Sequence, residues 1–303
     1  MPTVLITGGT GLVGKALTEM LLAKDYHVIV LSRKPAPNTQ KPNLQFARWD
    51  IAKKEIDTTA LQQADYIIHL AGAGVMDKRW TAAYKQEIID SRVKSAELIV
   101  ESLRNYPNKV KAVISASAIG WYKQTNTIHS EDEAADNGFL GAVCKQWEES
   151  IQPVTALGKR LVTLRIGIVL SKKGGALIEF LRSLKFGVAA ILGNGKQIVS
   201  WVHVEDLCRM FLFAMENENI TGVYNAVAPA PVSNKLLTTA LAKKRNRFYI
   251  PVHVPAFIVK LMLGGGSTEV LKSCAVSSKK IESAGFGFKF AALDGALADL
   301  RKD

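Results

Sequence analysis

The chain has 303 residues, 48% of them hydrophobic and 22% charged, the proportions of an ordinary folded globule, long enough for one large α/β domain with an appended lobe or for two domains. The net charge is +12, but the basic residues are scattered, and the densest clusters, Lys243-Lys244-Arg245-x-Arg247 and Lys279-Lys280, carry no interleaved aromatics; a nucleic-acid partner is therefore not expected, while a positive field favours a polyanionic cofactor. Cys144, Cys208 and Cys274 are far apart and odd in number, which excludes a disulfide framework and a zinc site. No apolar run reaches the ~20 residues of a membrane span and no secretory signal opens the chain, so a cytoplasmic protein without a membrane partner is expected.

The chain opens on Val4-Leu5-Ile6-Thr7-Gly8-Gly9-Thr10-Gly11-Leu12-Val13-Gly14. The apolar run predicts a central parallel strand at about 3–7. Leu12, Val13, Ala16, Leu17, Met20 and Leu21 repeat at helical spacing and predict a helix at about 11–24. The glycines between them remove side chains where a pyrophosphate approaches the backbone, and the helix start adds free N–H groups and partial positive charge. Gly8, Thr10, Gly11, Leu12, Val13 and Gly14 are the candidate dinucleotide contacts.

Further strands are predicted at about 27–32, 44–49, 65–70, 110–116 and 161–167. Helices are predicted at about 57–63, 80–105, 138–157 and 174–186. Alternation with short connections means parallel strands with right-handed crossovers, hence a doubly wound α/β sheet. At the end of the second strand an acidic residue selects NAD, and an arginine selects NADP by pairing with the 2′-phosphate. Ser32 and Arg33 stand there, with no carboxylate before Asp50, so the cofactor is expected to be NADP. Asp50 faces the adenine or caps a turn. The fourth strand ends in His69-Leu70-Ala71-Gly72-Ala73-Gly74; the small residues there let a cofactor lie flat against the backbone, so Leu70, Ala71 and Gly72 are expected in contact with its ribose or diphosphate, and His69 is read as a core residue. The polar segment 117–137 is expected to lie over the cleft. Beyond about 170 the pattern loosens: Ile198–Val204 reads as strand, Glu205–Met215 as helix, Tyr224–Val227 as strand, and short helices predominate after Ser233. Trp201 is a candidate pocket residue, while Asp206 and its neighbours read as a tie between the helix start and the body. No spacing resembles a metal site.

These residues resemble the extended short-chain dehydrogenase/reductase superfamily, and within it an atypical NAD(P)-dependent, epimerase-like subgroup. The resemblance runs nearly end to end: Thr7–Gly14, Ser32-Arg33, Leu70-Ala71-Gly72, Asp90-Ser91-Arg92, Phe139-x5-Lys145-x-Trp147-Glu148, Leu164-Arg165-x-Gly167, Leu192-Gly193-x-Gly195-x-Gln197-x-x-Ser200-Trp201-x-His203-x-x-Asp206, and Gly285-Phe286-x-Phe288. It implies an NADP-binding Rossmann domain over 1–170, with additions from about 196–228, and a substrate-capping lobe over 171–303 that includes the subgroup's C-terminal domain. It also implies cofactor contacts from Glu87 and Arg92 and places Ile168 near the nicotinamide. Relatives often pair through long helices such as 80–105, so a homodimer is compatible with the pattern.

Standard members of that superfamily use Tyr-x-x-x-Lys on one helix face, the phenol moving the proton and the lysine holding the ribose. Here Lys145 is present, but Gly141 stands four residues earlier. Tyr122 is the candidate replacement phenol, Lys145 the candidate ribose ligand, and Ser117 stands near the usual serine. Two functions follow: an NADP-dependent oxidoreductase or epimerase acting on a small, sugar-like or nucleotide-linked molecule, or a non-catalytic NADP-binding or sensing protein that has lost the Tyr-Lys chemistry.

Overall fold

The computed structural model describes residues 1–33, 41–125, 127–244 and 248–301; of the residues named above, Arg245 and Arg247 lie outside them, as does Asn126 within the polar segment 117–137. β1 (Thr3–Thr7) is buried at every position and leads through the glycine turn into α1 (Leu12–Leu22). β2 (His27–Ser32), β3 (Leu44–Asp50) and the short β4 (Glu55–Ile56) follow, then α2 (Thr58–Gln63) and β5 (Tyr66–His69). Asp57 caps α2 by accepting from Ala60 N at 3.0 Å. The long α3 (Ala82–Asn105) begins two residues later than expected because Thr81 is its cap, accepting from Tyr84 N at 3.1 Å. β6 (Ala112–Ala118), α4 (Phe139–Ile151) and β7 (Arg160–Ile166) complete the first half. The helix expected over 138–157 divides, with a 3-10 segment at Gln152–Leu157 where Pro153 lacks an N–H.

The later chain holds β8 (Ile168–Leu170), α5 (Ala176–Leu184), β9 (Val188–Leu192), β10 (Ile198–Val199), β11 (Trp201–His203), α6 (Val204–Glu216) and β12 (Gly222–Ala226). Then come β13 (Val232–Ser233), α7 (Asn234–Lys244), β14 (Ile250–Val254), α8 (Ala256–Leu263), α9 (Ser267–Leu271), α10 (Lys279–Ser283) and α11 (Leu293–Leu300). The strand expected over 198–204 is two short pieces with different partners, β13 and β8. Neither β9 nor β14 was expected: β9 has no alternating polar pattern, and β14 carries Pro251, which argues against a strand.

Eight strands form one sheet in the order β12-β7-β6-β5-β1-β2-β3-β4. Every pairing is parallel except β3 with β4. The chain builds outward from β1 through β2 and β3, then crosses to β5 and builds the other way. That reversal opens a crevice outside the carboxyl ends of β1 and β5. Apolar side chains of α1, α3, α4 and α6 cover the two faces in one continuous core with the central strands. A second core joins α5, α7, α11 and β9 with Trp201 and Phe290.

Candidate functional site

At the crevice, Gly8 has φ +69°, and a Cβ there would lie 2.7 Å from the carbonyl carbon of Leu70. The turn after β1 is thus pressed against the end of β5. Gly14 meets the backbone of Gly8 and Gly9 with no room for a side chain. Gly11 differs: it is exposed, and a Cβ would meet only Gly8 O at 3.3 Å. Packing explains Gly8 and Gly14; it leaves Gly11 bare for something outside the protein. Gly11 is also the N-cap of α1, with no side-chain cap and no acidic residue in the first turn. The amides at Leu12, Val13 and Gly14 therefore begin the helix without side-chain acceptors. Thr10 is exposed beside them.

Thr7 ties the two strand ends together. Its hydroxyl oxygen accepts from Leu70 N and Ala71 N, both at 3.2 Å, and lies 2.8 Å from His69 Nδ1, to which it donates. His69 is fully buried, and burial, aided by Arg92, pushes its imidazole down to about 3. It is a neutral core residue, as the sequence indicated.

Arg92 is 9% exposed and lies against Gly72, where a Cβ would meet the guanidinium carbon at 3.1 Å. It donates to Ile88 O on its own helix at 3.0 Å and stacks over Trp147 at 5.0 Å. Among the described residues no carboxylate pairs with it. Burial, and only weak opposition from its surroundings, lowers its affinity for the proton. A buried guanidinium at the rim of a crevice, without an anion of its own, is a ready anion ligand. Glu87, by contrast, stands on the exposed flank of α3, 3.0 Å from Lys78.

At the end of β2, Ser32 is in register with Arg48 of β3, and Arg33 follows on the surface. Asp50 accepts from Ala52 N and Lys53 N at 3.0 and 3.2 Å, so the turn-capping reading holds. Ile168 is 37% exposed at the start of β8. The glycine pair Gly174-Gly175 reaches the start of α1: a Cβ on Gly175 (φ +73°) would lie 3.1 Å from Leu12.

Tyr122, the candidate replacement phenol, lies in the interior rather than on the wall of the crevice. It has no accessible surface. Its hydroxyl donates to Asn225 Oδ1 at 2.6 Å and accepts from Arg165 at 3.1 Å, and its ring stacks on His129 at 4.9 Å. Burial, only partly offset by Arg165, pushes the phenol up to about 12. With no accessible surface, the phenol meets no substrate in this conformation. Lys145 is exposed and stands 3.9 Å from Glu149. Toward the end of β6, α4 instead presents Leu140 and Cys144, which flank Gly120; a Cβ on Gly120 would meet them at 3.1 and 3.6 Å. Burial pushes the Cys144 thiol up to about 12.

Behind them lies a polar network that the sequence did not reveal. Arg165, 3% exposed, forks onto Glu148 through Nε and Nη2 at 2.9 and 3.0 Å. Ser117 donates to the same carboxylate at 2.6 Å. Arg165 also donates to Glu131 O at 3.0 Å and stacks over Trp121 at 3.7 Å. Glu131 accepts from Asn225 N, and Asn225 donates to Ser277 O. His129 faces Glu133 at 2.7 Å and shares backbone bonds with Ala275 and Ser277. The segment 117–137 is thus fastened to the C-terminal chain.

A cavity of about 600 Å³ opens beside this segment, lined among others by Trp80, Lys85, Asp136, Phe139, Glu269 and Lys272. Trp80 and Phe139 meet edge to face at 4.9 Å. Lys272 lies 3.5 Å from Asp136 and 3.9 Å from Glu269, whose carboxyl is raised by burial and by Asp136 against the pull of Lys272. The whole lining comes from four stretches, 80–85, 123–124, 136–139 and 265–272, so no local pattern announced it. A smaller hollow of about 340 Å³ lies at the far end of α1, by Glu19 and Pro42, away from the glycine turn. Trp201 lines neither: it is fully buried and donates to Ala230 O at 2.9 Å. His203, Glu205 and Asp299 bring donor atoms within 4.8 Å of one another. However, His203 Nδ1 accepts from Glu205 N at 3.1 Å, which leaves the proton of the neutral ring on Nε2, facing Asp299 at 3.5 Å. That tautomer offers a metal no lone pair.

Comparison with known proteins agrees with this geometry. Residues 4–226 match the profile of the NAD dependent epimerase/dehydratase family, and residues 254–300 match a domain of unknown function, DUF1731. An epimerase family protein of Staphylococcus aureus is 34% identical over 305 residues, covering 100% of both chains. The human epimerase family protein SDR39U1 (isoform 2), solved with NADPH, superposes with a TM-score of 0.87 at 26% identity, covering 98% of each chain. A nucleoside-diphosphate sugar epimerase from Corynebacterium glutamicum gives 0.79 at 30% identity, covering 98% of this chain and 58% of that one.

Proposed function

The chain belongs to the NAD-dependent epimerase/dehydratase family, and on that premise we propose that it binds NADP(H) across the β1/β5 crevice and acts as an oxidoreductase or epimerase on a small molecule. The observation that carries the reading is the end of β2, where Arg33 stands exposed after Ser32 and the next carboxylate, Asp50, is engaged in its own turn. The bare Gly11 and the uncapped start of α1 fit a diphosphate; the amides around Thr10, Leu12 and Val13 would hold it. Ser32 and Arg33 would hold the 2′-phosphate, Arg92 and the backbone of Leu70, Ala71 and Gly72 the ribose side. The human relative solved with NADPH supports the same assignment. The bound nicotinamide would supply or accept a hydride; the chain's own groups bind and orient. Isothermal calorimetry with NADPH and NADH tests this: NADPH binds at least about tenfold tighter, and Arg33→Ala removes most of the difference. Equal affinity for the two coenzymes in the wild type would end the NADP assignment.

The cavity beside Trp80 and Phe139 is the natural place for the substrate, and the name of the Corynebacterium relative supports a nucleotide-linked sugar. A second reading, a protein that binds NADP without turnover, is favoured by one observation: Tyr122, the candidate phenol, is sealed. Following the absorbance of the reduced cofactor across carbonyl compounds and nucleotide sugars separates the two. Turnover supports the enzyme, and tight NADPH binding without turnover supports the sensor.

A further inference from the structure

The C-terminal lobe carries an apolar surface that the site above does not use. β9 and β14 form a two-stranded parallel sheet, with Ile250 beside Val188 and Val252 beside Ala190. Parallel strands are ordinarily covered on both faces. Here Ala189 and Ile191 point inward, where α5 and α7 pack. The other face presents Ile250 and Val252, and by the same period of two Phe248, which is 85% exposed; Phe186, just ahead of β9, is 86% exposed. β14 passes through Pro255 directly into α8, which buries only Val259 and packs on α9 and the Gly264–Gly266 turn. Its Phe257, Leu261 and Met262 are between 68% and 73% exposed.

The stretch of chain that carries most of this surface holds charge of one sign, although Lys244 meets Asp294 of α11 at 3.5 Å. Residues 219–268 contain six Lys or Arg and no Asp or Glu. Lys235, Lys243 and Lys260 are exposed, as is Lys185 next to Phe186. We propose that the outer face of β9–β14, together with α8, docks on an anionic lipid surface, its aromatic and aliphatic tips entering the headgroup boundary and its lysines meeting the headgroups. A second copy of the chain is a poorer occupant, because a two-fold interface sets the same cations against each other. A polynucleotide would satisfy the lysines and leave Ile, Val, Leu and Met without partners. No helix among the described residues is long and apolar enough to cross a membrane, and a surface contact needs none.

Flotation of the full chain with unilamellar vesicles tests this. The protein is expected to float with vesicles of phosphatidylcholine mixed with phosphatidylserine, and at least about tenfold less with phosphatidylcholine alone or at high salt. The pair Phe257→Glu with Leu261→Glu is expected to lower flotation about tenfold at an unchanged thermal midpoint. The pair Ile250→Glu with Val252→Glu repeats the test on the sheet. Three results would overturn the proposal: wild-type protein that ignores both vesicle types, glutamate variants that float like the wild type, or a wild-type dimer that either glutamate pair converts to monomer. Calorimetry with NADPH reads the crevice separately, so failure here leaves the cofactor assignment standing.

Discussion

Two glycines three residues apart show how one motif contains two kinds of constraint. Gly8 is required by the fold: its φ is +69°, and its Cβ would strike the carbonyl of Leu70 at 2.7 Å. Gly8→Ala should cost about 2–4 kcal/mol of stability, read from urea unfolding. At Gly11 a Cβ would press only on Gly8 O, at 3.3 Å, so Gly11→Ala should cost far less stability than Gly8→Ala and weaken NADPH by about tenfold or more. Equal losses of stability in both would show that the cradle is merely a tight turn. His69 makes a second prediction at this scale. Its folded imidazole titrates near 3 because of burial and then Arg92, whereas an unfolded histidine titrates near 6.5. Below pH 6.5 the unfolded ring takes up a proton that the folded one refuses. Stability should therefore fall from about pH 6.5 toward 3, by an order of a few kcal/mol, and be level above that window. His69→Gln should flatten this slope in unfolding midpoints measured across the acid range; an unchanged slope would place its origin elsewhere.

Among elements, the consequential join is that of β7 with α4. Arg165 on one and Glu148 on the other form a buried bidentate pair, with Ser117 of β6 as third partner. Removing one charge leaves the other without compensation, so Glu148→Gln should cost about 3–5 kcal/mol. It should also loosen the segment 117–137, because Arg165 holds Tyr122 and Glu131. Hydrogen exchange at 119–133 is the measurement; protection there equal to the wild type would mean that the His129 and Asn225 bonds suffice alone. The sequence marked Glu148 and Arg165 as part of a family pattern, yet nothing in their spacing said that they pair. Pairing depends on how α4 lies across β7, a matter of sheet twist and of the chain's return at 152–157.

At the scale of the whole molecule, one buried side chain fastens the last part of the tail to the main body. Asp206, at the start of α6 and itself fully buried, accepts from Lys289 N at 2.9 Å and from Phe290 N at 2.7 Å, and pairs with Arg209 at 2.6 Å. Asp206→Asn puts an amide N–H against a backbone donor and should cost about 2–4 kcal/mol, with α11 losing exchange protection first. Uniform loss over the whole chain would instead make the clasp part of the global core. The tail also carries Ser277, which seats Asn225, and Glu269 and Lys272, which wall the cavity. The cavity and the sealed state of Tyr122 therefore depend on the last sixty-odd residues being docked.

What the sequence alone determined was the doubly wound sheet, the glycine turn at its switch point, the arginine at the end of β2 and the core place of His69. Those features rest on local signals: strand and helix periods, the freedom of glycine at positive φ, and the absence of a carboxylate at one position. Only the tertiary structure decided that Tyr122 is enclosed, that Leu140 and Cys144 of α4 pack against Gly120, that Trp201 is core, and that β9 and β14 present a bare apolar face. Each of these depends on which distant segment covers a side chain. Burial is set by partners such as residues 225 and 277 around Tyr122, and no pattern along the chain records that meeting.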